Sequence, residues 1–285
     1  MEFSIADCAR AKAWCKFSAR QMKQAINTTR ETSLPKVGKC LYAIAALDED
    51  RTYDDVVGID GSPVYGVSNG HVAAVVSDCV HQKLRPERAH LIAHKEVLRR
   101  LMLDSTVLPM AFGTIADDLK AVRRLLSLNQ KAFLGQLERV AGKVEMGLRV
   151  RWDVPNIFEY FIDFHPELRA ARDRLMGNQR EARQEDKIEL GQLFDQLLKD
   201  DRESHSEKLE EAIAPCCAEI KRSPPRNVNE VANLNFLVDR NDQKRLEDAV
   251  FQAANLFDNN YAFDLNGPWA PHNFVEMDLK LDGRK

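Results

Sequence analysis

The sequence lacks any apolar run long enough to cross a lipid bilayer. Its longest uninterrupted apolar stretches, Cys40–Leu47 and Val72–Val76, are far shorter than the roughly 20 residues of a membrane-spanning helix. Residues 1–10 also lack the apolar core of a secretory signal. We therefore predict a cytoplasmic protein without a membrane span.

Patterns that mark catalytic, redox or cofactor sites are missing as well. The six cysteines form no Cys-x-x-Cys pair, and their wide spacing is typical of reduced thiols rather than of a disulfide framework. No Gly-x-Ser-x-Gly motif, phosphate-binding loop or dinucleotide-binding glycine pattern occurs. We predict no catalytic residue, no cofactor and no bound metal, and hence no enzyme.

Neither sign of charge is in large excess. Lys and Arg number 41 against 44 Asp and Glu, for a net charge of -3, so no global basic surface points to nucleic acid. The exception is the start of the chain, where residues 1–39 carry eight basic and three acidic side chains. Residues 1–37 are predicted to form a basic helical extension.

Residues 38–141 have the pattern of a small α+β domain. Asn69-Gly70 between two short apolar runs is a strong hairpin signal. Pro109 and Gly113 predict an edge position or a bulge for the strand that contains them. The predicted elements are strand Lys39–Leu47, a loop over Leu47–Asp55, strands Val64–Ser68 and Val72–Ser77, helix Pro86–Met102, strand Val107–Ile115 and helices Asp117–Ser127 and Gln130–Val140. This order resembles a ferredoxin-like sandwich whose first crossover helix is shortened or lost.

Residues 142–285 predict a smaller α+β domain with a long helical insertion. Its elements are strand Val144–Trp152, helix Ile157–Met176, a long helix within Asn178–Arg222, strand Val231–Val238 and helix Asp242–Phe257. Pro215 is expected to kink the long helix. The segment Asn266–Phe274 is expected to be ordered, because its prolines restrict the backbone. Trp269 should then be buried, so that Trp269→Ala costs several kcal/mol.

An apolar stripe along the predicted long helix is the most informative physical feature. A helix of about 45 residues would extend roughly 65 Å, more than the width of a small domain. Part of it therefore either folds back at Pro215 or offers an apolar surface to a partner helix. The candidate partner-binding residues are Leu193, Phe194 and Leu197 of this stripe and Trp269 and Phe274 of the C-terminal segment.

Two other functions stay open on the residues alone. His90 and His94 stand four apart on a predicted helix, a spacing that can seat zinc in a metal-dependent enzyme. The metalloprotease pattern would need Glu after the first histidine, where the chain has Leu91. The aromatic and basic residues around Arg149–Trp152 would suit a nucleic-acid-binding ferredoxin-like module. Metal content and salt-dependent binding to nucleic acid would test these alternatives.

Several stretches, read in order, resemble the gas vesicle protein family GvpF/GvpL. They are KCLYAIAAL, YGVSNGHVAAVVSD, HLIAHKEVLRRLM, VLPMAFGTI, KVEMGLRVRWD, IELGQLF and FDLNGPWAPHNFVEMDL, which run collinearly from Gly38 to Leu279. Residues 1–37 precede the position at which members of the family typically begin.

The resemblance implies a modified ferredoxin-like N-terminal domain and a C-terminal α+β domain with prominent helices. It also implies a chaperone-like accessory or minor structural role in gas vesicle formation, without enzymatic activity or cofactor. The implied partners are the small, very apolar shell subunit, GvpA, and other gas vesicle accessory proteins. The implied location is the cytoplasm, in association with the gas vesicle.

Overall fold

A computed structural model of the chain describes residues 37–81, 83–177 and 183–280. The predicted basic extension therefore lies outside the described residues, except for Val37. The first antiparallel sheet comprises β1 (Gly38–Ala45), β2 (Arg51–Val57), β3 (Pro63–Ser68), β4 (Ala73–Cys79), β5 (Val107–Pro109) and β6 (Ile115–Ala116). Its order is β2-β3-β4-β1-β5. Strand β6 also pairs with β1, at Lys39 and Cys40, whereas β5 pairs with Ala43–Ala45. The predicted hairpin is confirmed, with Gly70 at a φ of 91° in its turn.

Two helices cover the first sheet on opposite faces. Helix α1 (Arg88–Asp104) packs Val97, Leu98 and Leu101 against one face. Helix α2 (Leu119–Arg139) packs Val122, Leu126 and Phe133 against the other. The central strand β1 therefore contributes to both core clusters, which explains why its sequence is a nearly continuous apolar run.

Two predictions for this half were wrong. The loop expected before Asp55 contains the start of β2, in which only Tyr53 is buried. Such an edge strand is held by backbone bonds to one neighbour and shows no apolar alternation. The two helices expected between Asp117 and Val140 form the single helix α2. Ser127 and Asn129 have low intrinsic helix propensity, but the free energy this costs is smaller than that gained by packing one continuous helix on the sheet. The predicted edge position of Val107–Ile115 is confirmed, and the segment forms two short strands, β5 and β6, that pair with β1 separately.

The second antiparallel sheet carries the helical insertion after its first strand. Its strands are β7 (Lys143–Trp152), β8 (Glu219–Arg222), β9 (Glu230–Asp239) and β10 (Tyr261–Trp269), in the order β10-β7-β9-β8. Its helices are α3 (Ile157–Phe164), α4 (Pro166–Gly177), α5 (Gln184–Ile213) and α6 (Gln243–Ala254). The mixed α+β class with two sheets is as predicted. No helix within 37–81, 83–177 and 183–280 is long and apolar enough to cross a membrane.

Proline ends helices here where the sequence pattern predicted continuity. The helix expected over Ile157–Met176 is divided between α3 and α4 at His165, because the residue before a proline disfavours the helical conformation. Instead of kinking at Pro215, α5 ends at Ile213, and a 3-10 turn leads into β8. Residues 219–222 are therefore strand, paired with β9, and not helix.

The two faces of the second sheet differ in what covers them. Met146, Leu148 and Val150 of β7 face the helices and form a core with α3, α5 and α6. The alternate residues Gly147 and Arg149 face the other way, toward α1. The helical insertion and α6 thus cover one face, while the opposite face stays partly open.

The C-terminal segment, residues 270–280, crosses from the second sheet back to the first. Phe274 is fully buried in the core beside α2. The guanidinium of Arg139 donates to the Phe274 carbonyl at 3.0 Å, and the side chain of Asn129 exchanges two hydrogen bonds with the backbone of Lys280. The N-terminal core therefore contains residues from the end of the chain, and division of the chain at residues 141 and 142 stays a proposal.

Candidate partner-binding site

A cluster of aromatic rings lies where α3 meets α5. Phe194 packs edge-on against Phe158 and Phe161, with ring centres 5.2 and 5.5 Å apart. The chain of ring contacts continues from Phe161 to Tyr160 and from Tyr160 to Phe164. The helix α3 sequence, IFEYFIDF, supplies most of this cluster because it is apolar on nearly every side.

The outer part of this cluster is accessible to solvent. Phe161 is fully buried and Phe164 is 60% exposed. Phe158, Tyr160, Leu193, Phe194 and Leu197 are half-buried against the C-terminal core. We define the aromatic surface as Phe158, Tyr160, Phe164, Leu193, Phe194 and Leu197. Its half-buried residues are held by packing against the core, and its outer side presents apolar area to solvent.

The structure does not bring the five predicted partner-binding residues together. Leu193, Phe194 and Leu197 lie on the helical side of the second sheet. Trp269 lies on the opposite side, where the Lys95 ammonium stands 5.1 Å from its ring centre. Phe274 is buried, so its ring belongs to the core and is not presented to a partner. The expected burial of Trp269 was wrong: the indole is 43% exposed, because the chain turns toward the first sheet immediately after it.

The two histidines of the predicted zinc spacing have separate environments. The ring of His94 is buried between Tyr42 and Phe112, and burial, with a smaller contribution from His272, lowers its pKa to about 4. His90 instead places Nε2 2.9 Å from a carboxylate oxygen of Asp60, which also contacts His81. Within the described parts of the chain, no group of three His, Cys, Asp or Glu side chains is arranged to hold a metal ion.

A cleft of about 720 Å³ separates the open face of the second sheet from α1. We call it the sheet cleft. Its floor is formed by Gly147 and Arg149 of β7 with Asn233 and Asn235 of β9, and its rim includes Trp269. Beside it, the buried carboxylate of Glu145 accepts hydrogen bonds from the backbone and side-chain amides of Asn273 at 2.8 and 2.6 Å.

Comparison with known proteins identifies the family. Residues 38–276 match the model of the family described as gas vesicle synthesis protein GvpL/GvpF. This chain belongs to that family. Gas vesicle protein F of Streptomyces sp. (strain CB03234) is 30% identical over 242 residues, which cover 83% of this chain and 98% of that protein. Gas vesicle protein L1 of Halobacterium salinarum is 25% identical over 265 residues, 87% of this chain and 94% of that protein.

Solved structures of the family share the fold. The crystal structure of GvpF from Anabaena sp. PCC7120 superposes with a TM-score of 0.73 at 24% identity and covers 85% of this chain and 99% of its own. That of GvpF from Microcystis aeruginosa gives 0.71 at 21% identity, covering 85% and 100%. These relatives are named as gas vesicle proteins and not as enzymes. The chain is therefore a gas vesicle protein of the F/L type.

Sequence reasoning missed the contribution of α3 to the aromatic surface. Six of the eight residues in Ile157–Phe164 are apolar, and a helix that apolar must bury several faces or contact a partner. This signal was available. The sheet cleft had no comparable signal, since its walls come from elements far apart in the sequence and its residues are mostly polar.

Proposed function

We propose that this chain is an accessory or minor structural protein of gas vesicle assembly that binds the small apolar shell subunit, GvpA. In this role it acts in the cytoplasm, in association with the growing vesicle and with other accessory proteins. It holds the subunit until the subunit joins the shell. The observation that carries this proposal is the aromatic surface.

The aromatic surface suits an apolar partner for a physical reason. A small subunit whose strands assemble edge to edge is prone to aggregate while it is soluble. Aromatic side chains bury a large apolar area with few rotatable bonds, so contact with them costs little conformational entropy. The half-buried rings of Phe158 and Phe194 already contact each other. This fixed arrangement supports binding of a partner without rearrangement of the two side chains.

Substitutions at accessible apolar positions test this surface. The double variant Phe164→Ser/Leu193→Gln removes apolar area from it. We expect this variant to capture purified GvpA at least about tenfold more weakly in a pull-down, equivalent to roughly 1.4 kcal/mol. The matched control is Phe251→Ser/Leu103→Gln, since Phe251 and Leu103 are 66% and 63% exposed and lie outside the aromatic surface.

Circular dichroism and thermal unfolding of both variants separate binding from folding. The proposal requires weakened capture by a variant that is still folded. Equal capture by the two double variants would contradict it. So would a loss of capture that occurs only when the thermal midpoint falls, because the aromatic surface would then be part of the core alone.

A further inference from the structure

The sheet cleft carries more positive than negative charge, although the chain as a whole is acidic. Lys95 and Arg99, one helical turn apart on α1, line one wall, and Arg149 and Arg226 lie on the sheet side. The lining carboxylates are Glu145 and Asp264, so the lining has four cationic and two anionic side chains. The cations that stay without a carboxylate partner within the described residues favour an anionic occupant beside them.

Some of this positive charge is already engaged within the protein. Arg99 pairs with Glu96 of its own helix at 2.8 Å, and Arg149 lies 3.9 Å from a carboxylate oxygen of Glu230. Lys95 has its contact with the Trp269 ring. The guanidinium of Arg226 forms no hydrogen bond or ion pair within the part of the chain that the structure describes. Glu145, on the anionic side, is held by Asn273.

The floor of the cleft is polar and offers space. Gly147 lies on the central strand β7, opposite Asn235 of β9 and Asn266 of β10. A Cβ at Gly147 would meet only the Asn235 side-chain oxygen, at 3.9 Å, so the glycine leaves the floor open. The side-chain amide of Asn233, half-buried beside it, forms no hydrogen bond within the described residues. Amide side chains of this kind match the donors and acceptors of a peptide backbone.

We propose that the sheet cleft binds an acidic, extended segment of a partner protein. Its carboxylates would meet Lys95 on the α1 wall and Arg226 on the sheet side, the two cations that have no carboxylate partner within the described residues, and its backbone would bond to the side-chain amide of Asn233. A volume of about 720 Å³ is within the roughly 300–1,000 Å³ of ligand sites. This site lies on the opposite side of the second sheet from the aromatic surface, so the two proposals are independent.

Binding of defined peptides to the full chain tests the proposal. The probe is a fluorescein-labelled peptide of alternating Glu and Thr, about ten residues long, with Gln-Thr and Lys-Thr peptides of equal length as comparisons. Fluorescence anisotropy is expected to show the acidic peptide binding at least about tenfold more tightly than the neutral one, with affinity falling as salt is raised. Equal binding of all three peptides, or no binding of the acidic one, would overturn the proposal.

Two variants locate the binding. Gly147→Phe fills the floor, and Lys95→Glu/Arg226→Glu reverses charge on both walls; each is expected to weaken acidic-peptide binding about tenfold or more. The control Lys131→Glu, on exposed α2 surface, should leave it unchanged. Loss of binding in all three variants, or in none, would overturn the site. Displacement of the peptide by an equal concentration of inorganic phosphate would identify a small-anion site instead. GvpA capture should be unaffected by Gly147→Phe.

Discussion

Trp269 and Phe274 lie five positions apart, and the structure gives them opposite environments. The indole of Trp269 is 43% exposed at the rim of the sheet cleft, whereas Phe274 is completely buried beside α2. The pattern NGPWAPHNF indicated two aromatic anchors and could not show which ring would point inward. Substitutions at the two positions should therefore differ in their effect on the free energy of unfolding.

Alanine substitutions at the two aromatic residues should destabilise the protein by different amounts. We expect Phe274→Ala to lower the free energy of unfolding by about 3–5 kcal/mol, because it leaves a cavity in the core. Trp269→Ala should cost about 1 kcal/mol or less, as is usual near a surface. Urea unfolding of both variants measures the difference. Equal losses would mean that the indole is buried in solution.

The lowered pKa of His94 predicts that the protein loses stability in mild acid. Burial lowers its pKa to about 4 in the folded protein, against 6.5 for an unperturbed histidine. Below pH 6.5 the unfolded chain therefore takes up a proton that the folded protein does not, and stability falls as the pH drops from about 6.5 toward 4. The loss is about 1.4 kcal/mol per pH unit, on the order of 3 kcal/mol in all.

The measurement is urea unfolding at pH 7.5, 6.0 and 5.0 for the wild type and His94→Asn. The variant is expected to have a flatter dependence over this range, since it lacks the titrating ring. His90 is a useful comparison, because hydrogen bonds to the Arg85 carbonyl and to Asp60 raise its pKa, an effect of opposite sign. An unchanged slope in His94→Asn would show that other groups cause the acid loss.

At the scale of elements, the C-terminal segment connects the two sheets. It leaves β10 at Trp269, places Phe274 in the core beside α2 and bonds to Asn129 and Arg139 of that helix. It also satisfies the buried carboxylate of Glu145 through Asn273. Removal of this segment would expose core surface and leave Glu145 without its amide donors.

Truncation after Trp269 should therefore affect the whole molecule. We expect the truncated chain to unfold at a lower temperature than the full chain, because it loses the buried Phe274 ring and pairing for a buried charge. In the full chain, amide exchange at Phe274 should be slow, since its backbone nitrogen bonds to the Pro271 carbonyl and its ring is buried. Fast exchange there, with an unchanged midpoint on truncation, would show that the segment is a loose tail.

At the scale of the whole molecule, the two proposed surfaces lie on opposite sides of the second sheet. The helical insertion after β7 provides the aromatic surface. The other face of the same sheet, with α1, forms the sheet cleft. One sheet thus supports an apolar surface on one side and a polar, cationic cleft on the other. Because the two surfaces lie on opposite faces of the sheet, occupation of one would leave the other accessible.

Local patterns in the sequence predicted much of the fold. The apolar run of β1, the Asn69-Gly70 turn, the alternation in β7 and the amphipathic helices α1 and α6 depend on neighbours within one element, and all lie close to their predicted positions. The break before Pro166 followed from a local rule that the prediction did not apply. The α+β class and the family resemblance were likewise available from the sequence.

Only the tertiary structure decided the edge strands and the sites. β2 and β8 are polar segments that become strands because β3 and β9 offer unpaired backbone groups, and no periodicity within the segments signals this. The burial of Phe274, the exposure of Trp269 and the walls of the sheet cleft depend on residues distant in sequence. A linear pattern encodes which side of its own element a residue occupies, whereas the surface that covers that side is determined by how the elements pack.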